Sequence, residues 1–327
     1  MRLESIILRL RLQHLRLLVA LAESESVQEA AHRVSLTQSA ASKLLADLER
    51  AFESRLFERG RLGLHATPAG RALSQRAARL LRDVEAAREE QGLIQLGAAT
   101  LIRVGGLPLT LATLMPEVLA RCRGEWPELI LQLREATGRQ LLMDIYSGAV
   151  DCGLGRIPFD ESMEAVATDL WLDELSQEDL VAVGIPGHPL CVRRRVQPEE
   201  LVDYEWILPA ARSTSYVTFA SALQRVGVAP PRPAVECDAS YATILAFVQR
   251  FNFLGLLPKT IAQREVVNHR VKILGLPLRM KMPPISFICR RDRVKAPEIA
   301  RLLAIVRAAV GLAPRASRVA ARELKPV

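Results

Sequence analysis

The chain is poor in the side chains that carry covalent and metal chemistry. Its 327 residues include only five cysteines and five histidines. Cys122, Cys152, Cys191, Cys237 and Cys289 are odd in number, scattered and without C-x-x-C spacing, which argues against a disulfide framework or a zinc site. They read as small buried apolar residues of a protein in a reducing cytoplasm. His14, His32, His65, His188 and His269 lie far apart and accompany no nucleophile motif, and His188, in PGHPL, reads as a turn residue. No G-x-S-x-G, P-loop or H-E-x-x-H occurs. No catalytic residues, metal ligands or cofactor are therefore expected. No apolar run reaches membrane-spanning length without a charge. The N-terminus, MRLESIILRLRLQHLRLL, is broken by an acid and several arginines, so it is a poor secretory signal. It fits better as the lead-in to a first helix through Leu15, Leu18 and Leu21.

Acidic residues are scarce at one end only. The net charge is +8. Residues 1–92 carry 15 basic and 12 acidic side chains, residues 93–277 carry 17 and 21, and residues 278–327 carry 12 and 3. The first segment is mildly basic, so a nucleic-acid contact made there would gain from oligomerisation, which adds phosphate contacts. The last residues, PRASRVAARELKPV, read as a solvated extension.

What is present is clearest from Ser26 to Arg50. Ser26 and Glu29 have capping-box spacing, so a helix should start at Val27, with Val27, Ala30, Ala31 and Val34 as its apolar face. The two alanines are small enough for a second helix to cross closely. Ser35-Leu36-Thr37 can turn the chain, with Thr37 as the next N-cap. Ala41, Leu44, Leu45 and Leu48 then recur at helical spacing, leaving Gln38, Ser39, Ser42 and Lys43 at the exposed front. A helix-turn-helix places the front of its second helix in the DNA major groove. There Gln can pair with adenine, Ser with donors or acceptors, and Lys with guanine or phosphate. Glu58-Arg59-Gly60-Arg61-Leu62-Gly63-Leu64 resembles a short β-hairpin whose Arg59 and Arg61 suit phosphate or minor-groove contact. Behind a helical pair, such a wing favours double-stranded DNA as a partner.

Residues 14 to 70 resemble the winged helix-turn-helix of LysR-type transcriptional regulators. HLRLLVALAESESVQEAA, LTQSAASKLLADLE and LFERGRLGLHATPAG follow the family's order and spacing. Glu53 stands where the family usually has Gly, and Ser39 where Pro is common. The resemblance makes Ser26, Thr37, Gln38, Ser39, Ser42, Lys43, Arg59 and Arg61 the expected DNA-binding set.

Thr67-Pro68 opens a long helix. Leu73, Ala77, Leu80, Val84, Ala87 and Gln91 form a heptad seam across about three heptads, as in a coiled coil. The family uses this linker helix for dimerisation, and the resemblance implies at least a dimer and a tetramer beyond it. From Leu101 strands and helices alternate, implying an α/β layer with a mostly parallel sheet. Leu101–Gly105, Leu129–Leu133, Val150–Gly155, Leu180–Val183, Glu199–Val202, Trp206–Leu208, Ala234–Cys237, Phe253–Leu257 and a returning Ile285–Cys289 read as strands. Residues 112–122, 139–147, 216–226, 241–250 and 297–310 read as helices. GEWPELILQLREA, GAVDCGLG, DLVAVGIPGHPL and FLGLLP resemble the family's effector domain, itself similar to periplasmic solute-binding proteins. Phe251-Asn252-Phe253 stands where the family commonly has a Gly-rich turn.

The expected fold is thus an N-terminal all-α winged helix-turn-helix with a long linker helix, then a C-terminal α/β effector domain of two lobes. The expected boundaries are 1–66 for the head, 67–96 for the linker, 97–314 for the effector domain and 315–327 for a basic tail. Lobe I takes 97–173 and 278–314, lobe II takes 174–277, and crossing segments fall near Leu172–Gln177 and Gly275–Pro284.

Ligands of open α/β sheets bind beyond the carboxyl ends of strands. Those ends carry Gly106-Leu107-Pro108-Leu109-Thr110, then Thr137 in a T-x-x-Q capping box, then Arg212-Ser213-Thr214. Each leads into a helix N-terminus, which favours anions, so the expected effector is a small anionic molecule. That these ends converge on one cleft is implied by the resemblance. Leu109 is more apolar than the hydroxyl residue often found at that turn. The function implied is a cytoplasmic, sequence-specific transcriptional regulator switched by an effector bound between the lobes. The other reading is a cytoplasmic solute-binding module whose N-terminal helices serve only protein assembly. The absent secretory signal and the polar front of the second helix count against it.

Overall fold

In the computed structural model the head consists of α1 (Leu12–Ala22), α2 (Val27–Arg33) and α3 (Gln38–Ala51), followed by an antiparallel hairpin of β1 (Phe57–Gly60) and β2 (Gly63–Ala66). The structure describes residues 10–60, 63–95, 100–156, 168–237 and 240–312. The chain divides into two compact units near Leu101, with Glu128–Ile130 and Asp144–Val150 belonging to the first.

The head's core gathers Leu17, Leu18 and Leu21 from α1, Ala30 and Ala31 from α2, and Ala41 and Leu48 from α3. Each fully buried leucine contributes about 1.5–3 kcal/mol. The helix starts follow the caps in the sequence. Ser26 Oγ accepts the Glu29 N–H at 3.1 Å and Thr37 Oγ1 accepts the Ala40 N–H at 3.2 Å. The Glu29 carboxylate accepts from Glu25 N at 3.0 Å, one residue before the cap.

Both helix ends are Schellman turns. After α2, Leu36 N–H reaches Ala31 O at 2.9 Å and Ser35 N–H reaches His32 O at 3.1 Å, with Ser35 at φ 58°. After α3, Ser54 N–H reaches Glu49 O at 3.1 Å and Glu53 N–H reaches Arg50 O at 3.4 Å, with Glu53 at φ 49°. The left-handed conformation costs a side chain about 1–2 kcal/mol. Glu53→Gly should therefore raise the head's stability by about 1 kcal/mol. Urea unfolding checks this, and a loss of stability would mean that the Glu53 side chain offsets its backbone strain.

The linker helix α4 (Pro68–Gln95) is capped by Thr67, whose Oγ1 accepts the Gly70 N–H at 3.0 Å. Its heptad seam divides. Ala77 is buried in the head's core and Leu73 is half-buried against it, whereas Leu80 and Val84 are 51% and 53% exposed. The coiled-coil expectation is corrected accordingly: the first part of the seam serves the head's own core, because α4 packs back along α1.

The second unit holds two sheets. β3 (Thr100–Gly106), α5 (Pro108–Glu125), β4 (Leu129–Glu135), α6 (Gly138–Ser147), β5 (Cys152–Gly155) and β6 (Leu170–Ser176) begin lobe I. Lobe II follows with β7 (Leu180–Gly184), a 3-10 turn (Pro198–Asp203) in place of the strand expected over Glu199–Val202, because Gln197 and Glu200 cap a helical turn there, then β8 (Trp206–Leu208), α7 (Thr214–Gln224) and β9 (Val235–Glu236). It closes with α8 (Tyr241–Phe251), β10 (Leu254–Pro258), α9 (Lys259–Val267) and β11 (Lys272–Ile273). The chain returns to lobe I as β12 (Ile285–Arg290) and α10 (Pro297–Ala309).

The strand orders are β4-β3-β5-β12-β6 and β11-β7-β10-β8-β9. Each sheet is mixed, with one reversed strand: β3, β5 and β6 share a direction in one sheet, and β11, β10, β8 and β9 share one in the other. β12 is antiparallel to β5 and β6, and β7 is antiparallel to β10 and β11. β6 also occupies Leu172–Ser176, expected to be a crossing segment. Its alternation is hidden in the sequence because Asp173 is buried, paired with Arg307 of α10. The crossings are residues 177–179 and 274–284, joined by an antiparallel bridge between Asp179 and Lys281.

The lobe II core is centred on fully buried Trp206, which stacks on Phe219 at 5.2 Å and donates its Nε1–H to Leu201 O at 2.9 Å. His188 is buried and its Nδ1 accepts the Leu190 N–H at 3.1 Å; burial pushes its pKa down. Asn252, in the left-handed region at φ 58°, ends α8 within the Phe251-Asn252-Phe253 stretch.

Candidate DNA-binding and effector-binding sites

The front of α3 is a row of exposed polar side chains held from behind by Ala41 and Leu48. Gln38, Ser39 and Lys43 are exposed and Ser42 is half-buried. Gln38 Nε2 donates to Ser42 Oγ at 3.1 Å. One amide N–H is used, leaving the other N–H and the carbonyl, the pair that an adenine edge requires. Thr37 and Ser26 differ from these, because each hydroxyl is occupied as a helix cap. Ser39 Oγ lies 3.1 Å from Thr37 Oγ1.

The wing is tied to the helices. Its pairing is Phe57 with Ala66, Glu58 with His65, Arg59 with Leu64 and Gly60 with Gly63. The Leu64 N–H reaches Glu25 O at 2.8 Å, one residue before the cap of α2. Arg59 lies on β1 next to the tip, and Arg61 lies outside the described residues.

In the second unit a cleft of about 1970 Å³ lies between the lobes. Leu107, Pro108, Leu109 and Thr110 line it from the first turn of α5, and Thr137 from the cap of α6. Arg212, Ser213 and Thr214 line it from the start of α7. Gly106 is not on the wall: it ends β3, and its carbonyl accepts the Ala136 N–H at 2.9 Å. Thr137 caps α6 through Gln140 N at 3.4 Å, and Ser213 caps α7 through Tyr216 N at 3.1 Å. Thr110 is buried, while Arg212 is exposed.

Several cleft groups were not anticipated. Ser240 and Tyr241 bring a fourth helix start, that of α8, to the wall. Burial pushes the Tyr241 phenol above its ordinary value. Arg156, directly after β5, donates from Nη2 to Glu178 Oε2 at 2.7 Å and from Nε to Pro283 O at 3.0 Å. Their side chains are only 8% and 11% exposed. Arg156 thereby grips both crossing segments, and it was findable, since it follows a strand whose carboxyl end the same rule addresses. Five cationic side chains line the cleft (Arg139, Arg156, Arg212, Arg225 and Lys281) against Glu135 and Glu178, so its field favours anions.

Among the described residues no group of His, Cys, Asp and Glu is placed to hold a metal ion, and no helix is long and apolar enough to cross a membrane.

Comparison with known proteins finds two family models. The bacterial regulatory helix-turn-helix protein model of the lysR family matches residues 12–71, and the LysR substrate binding domain matches residues 96–311. The chain is 30% identical over 302 residues to the HTH-type transcriptional regulator GbpR of Azospirillum brasilense, covering 92% of this chain and 87% of that protein. It is 26% identical to the HTH-type transcriptional regulator GalR of Pseudomonas putida, over 90% of this chain and 73% of that one. A full-length OxyR variant from Pseudomonas aeruginosa shares the fold at a TM-score of 0.55 and 19% identity, over 93% of this chain and 99% of that one.

Proposed function

The chain belongs to the LysR family of transcriptional regulators, DNA-binding proteins with a small-molecule-binding domain, and we propose how its residues divide that work. Residues 1–66 form the DNA-binding head, 67–96 the linker, 97–314 the effector domain and 315–327 a basic tail. Gln38, Ser42 and Lys43 read base edges in the major groove of double-stranded DNA, and Arg59 and Arg61 hold the backbone beside it. The observation that carries this reading is the Gln38–Ser42 hydrogen bond on the polar front of α3, which leaves one amide N–H and the carbonyl of Gln38 for a base edge. Ser26 and Thr37 support contact indirectly, by holding two helix starts. The protein acts as a dimer, assembled into a tetramer, in the cytoplasm.

Gln38→Ala and Ser42→Ala should each weaken specific binding, a good bidentate base contact contributing about 1–3 kcal/mol. Arg59→Ala should weaken binding to every sequence and flatten its salt dependence. Fluorescence anisotropy on the region upstream of its own gene measures both, and wild-type affinity in both α3 variants would sink the assignment.

The effector is a small anion bound in the interlobe cleft. Four helix N-termini and the excess of cationic side chains support that choice. The lobes change angle about residues 177–179 and 274–284 when it binds, to the extent that it favours one arrangement. Thr110→Ala, Thr137→Ala and Thr214→Ala should each reduce the effector response and leave basal DNA binding intact. Calorimetry with an identified inducer decides, because unchanged affinity in all three places the site elsewhere.

A further inference from the structure

Three elements of the head meet at the two consecutive peptide groups that flank Leu56. Glu49, near the end of α3, is turned inward, with 17% of its side chain exposed. Its Oε1 accepts the Leu56 N–H at 2.8 Å and the Phe57 N–H at 3.3 Å, so the root of β1 hangs from the recognition helix. Arg55 lies 3.8 Å from the other carboxylate oxygen. From the opposite side, the Leu56 carbonyl accepts the Thr67 N–H at 2.9 Å. The Thr67 hydroxyl lies 2.8 Å from Arg55 O and 3.2 Å from Leu56 O, sharing its proton between them while it caps α4. A Cβ at Gly70 would run into Leu56 O, so α4 sits flush on this peptide.

Hydrogen bonds from backbone N–H groups to an ionised carboxylate are short and directional, and a shielded N–H left unpaired costs free energy. Without the carboxylate the root of the wing loses its hydrogen bonds to α3, although Leu56 and Phe57 stay in the head's core and the far strand stays tied through Leu64. Leu64 ties the hairpin to the loop before α2 and Thr67 ties its root to α4, and Glu49 is the anchor that refers it to the recognition helix.

We propose that Glu49 is a positioning residue for DNA binding. It fixes the angle between recognition helix and wing so that both engage one duplex together. Thr67 and Gly70 join the linker helix to the same point. Glu49 itself touches no DNA. This rests on the reading of the wing as a backbone contact.

The test uses the full chain and two labelled duplexes, the region upstream of its own gene and a scrambled copy. Glu49→Ala removes the acceptor, and Glu49→Gln keeps an acceptor oxygen in the same place. Glu49→Ala is expected to lower affinity for both duplexes about tenfold and to reduce the slope of log K against log salt by about one to two, the loss of wing phosphate contacts. Glu49→Gln should stay within about twofold of wild type. Hydrogen exchange at the Leu56 and Phe57 amides should accelerate in the alanine variant and not in the glutamine variant, while the α1 amides stay protected. That readout needs no DNA and shows that the head remains folded. Wild-type affinity and slope in Glu49→Ala, beside a weakened Arg59→Ala, overturn the positioning role and leave the wing reading intact. An equal loss in both Glu49 variants overturns it too, because charge would then matter and not the acceptor. Wild-type behaviour of Arg59→Ala removes the wing reading and this proposal with it.

Discussion

Arg156→Ala is expected to destabilise the effector domain by about 3–5 kcal/mol, the cost of stranding one partner of a buried pair. Glu178 would be left mostly out of water without the guanidinium that now pairs with it. The loss extends beyond the pair, because the guanidinium also holds Pro283 O in the second crossing segment. Residues 177–179 and 274–284 would then be joined mainly through the Asp179–Lys281 bridge and the backbone hydrogen bonds around it, among them Met282 N–H to Glu178 O at 3.1 Å. For a domain of this size the thermal midpoint should fall by roughly 10 °C. The control is the double variant Arg156→Met with Glu178→Met, which removes both charges and should recover most of the loss, since apolar replacement of a whole buried pair is often neutral. Calorimetric unfolding of the three proteins decides the matter. A double variant no better than the single one would show that the Pro283 contact and packing dominate and the charges do not.

Leu80→Glu should break the proposed dimer. Leu80 and Val84 are apolar, more than half exposed and four residues apart on α4, and neither belongs to the head's core. A carboxylate there would be buried against its symmetry mate, which costs far more than one leucine contact contributes. DNA affinity should fall on the order of 100-fold, because two linked heads bind two half-sites with an effective concentration that a single head lacks. Light scattering gives the mass and anisotropy the affinity. Wild-type mass would show that Leu80 is not at the interface, and a halved mass with unchanged affinity would show that one head suffices.

Most of the head could be read directly because its signals are local. Ser26 and Thr37 cap helices three residues ahead, and Ala30, Ala31, Ala41 and Leu48 repeat at a period that one helix face dictates. The departure at Glu53 also has a local meaning, a left-handed position where Gly carries no side-chain penalty. The α/β unit was legible in its strand and helix alternation, less so in its pairing. β6 was hidden because Asp173 breaks an alternating pattern, and its burial depends on Arg307, 134 residues away. α9 and β11 escaped as well. β11 is only two residues long, too short to show a period, and α9 has Lys259, Gln263, Arg264 and Glu265 within nine residues.

The sequence by itself determined the order of elements, the helix starts and the polar front of α3, since each follows from steric and hydrogen-bonding preferences acting within a turn or two of chain. Only the tertiary structure decided which of those groups meet. Leu73 and Ala77 of the linker seam went to the head's core because α4 packs against α1. Arg156 became a cleft residue and a clamp because Glu178 and Pro283 arrive from 22 and 127 residues away. Glu49 became the root of the wing because the chain turns at Ser54 and brings the Leu56 peptide back to α3. Such meetings depend on chain closure over long separations, and no local period in the sequence marks them.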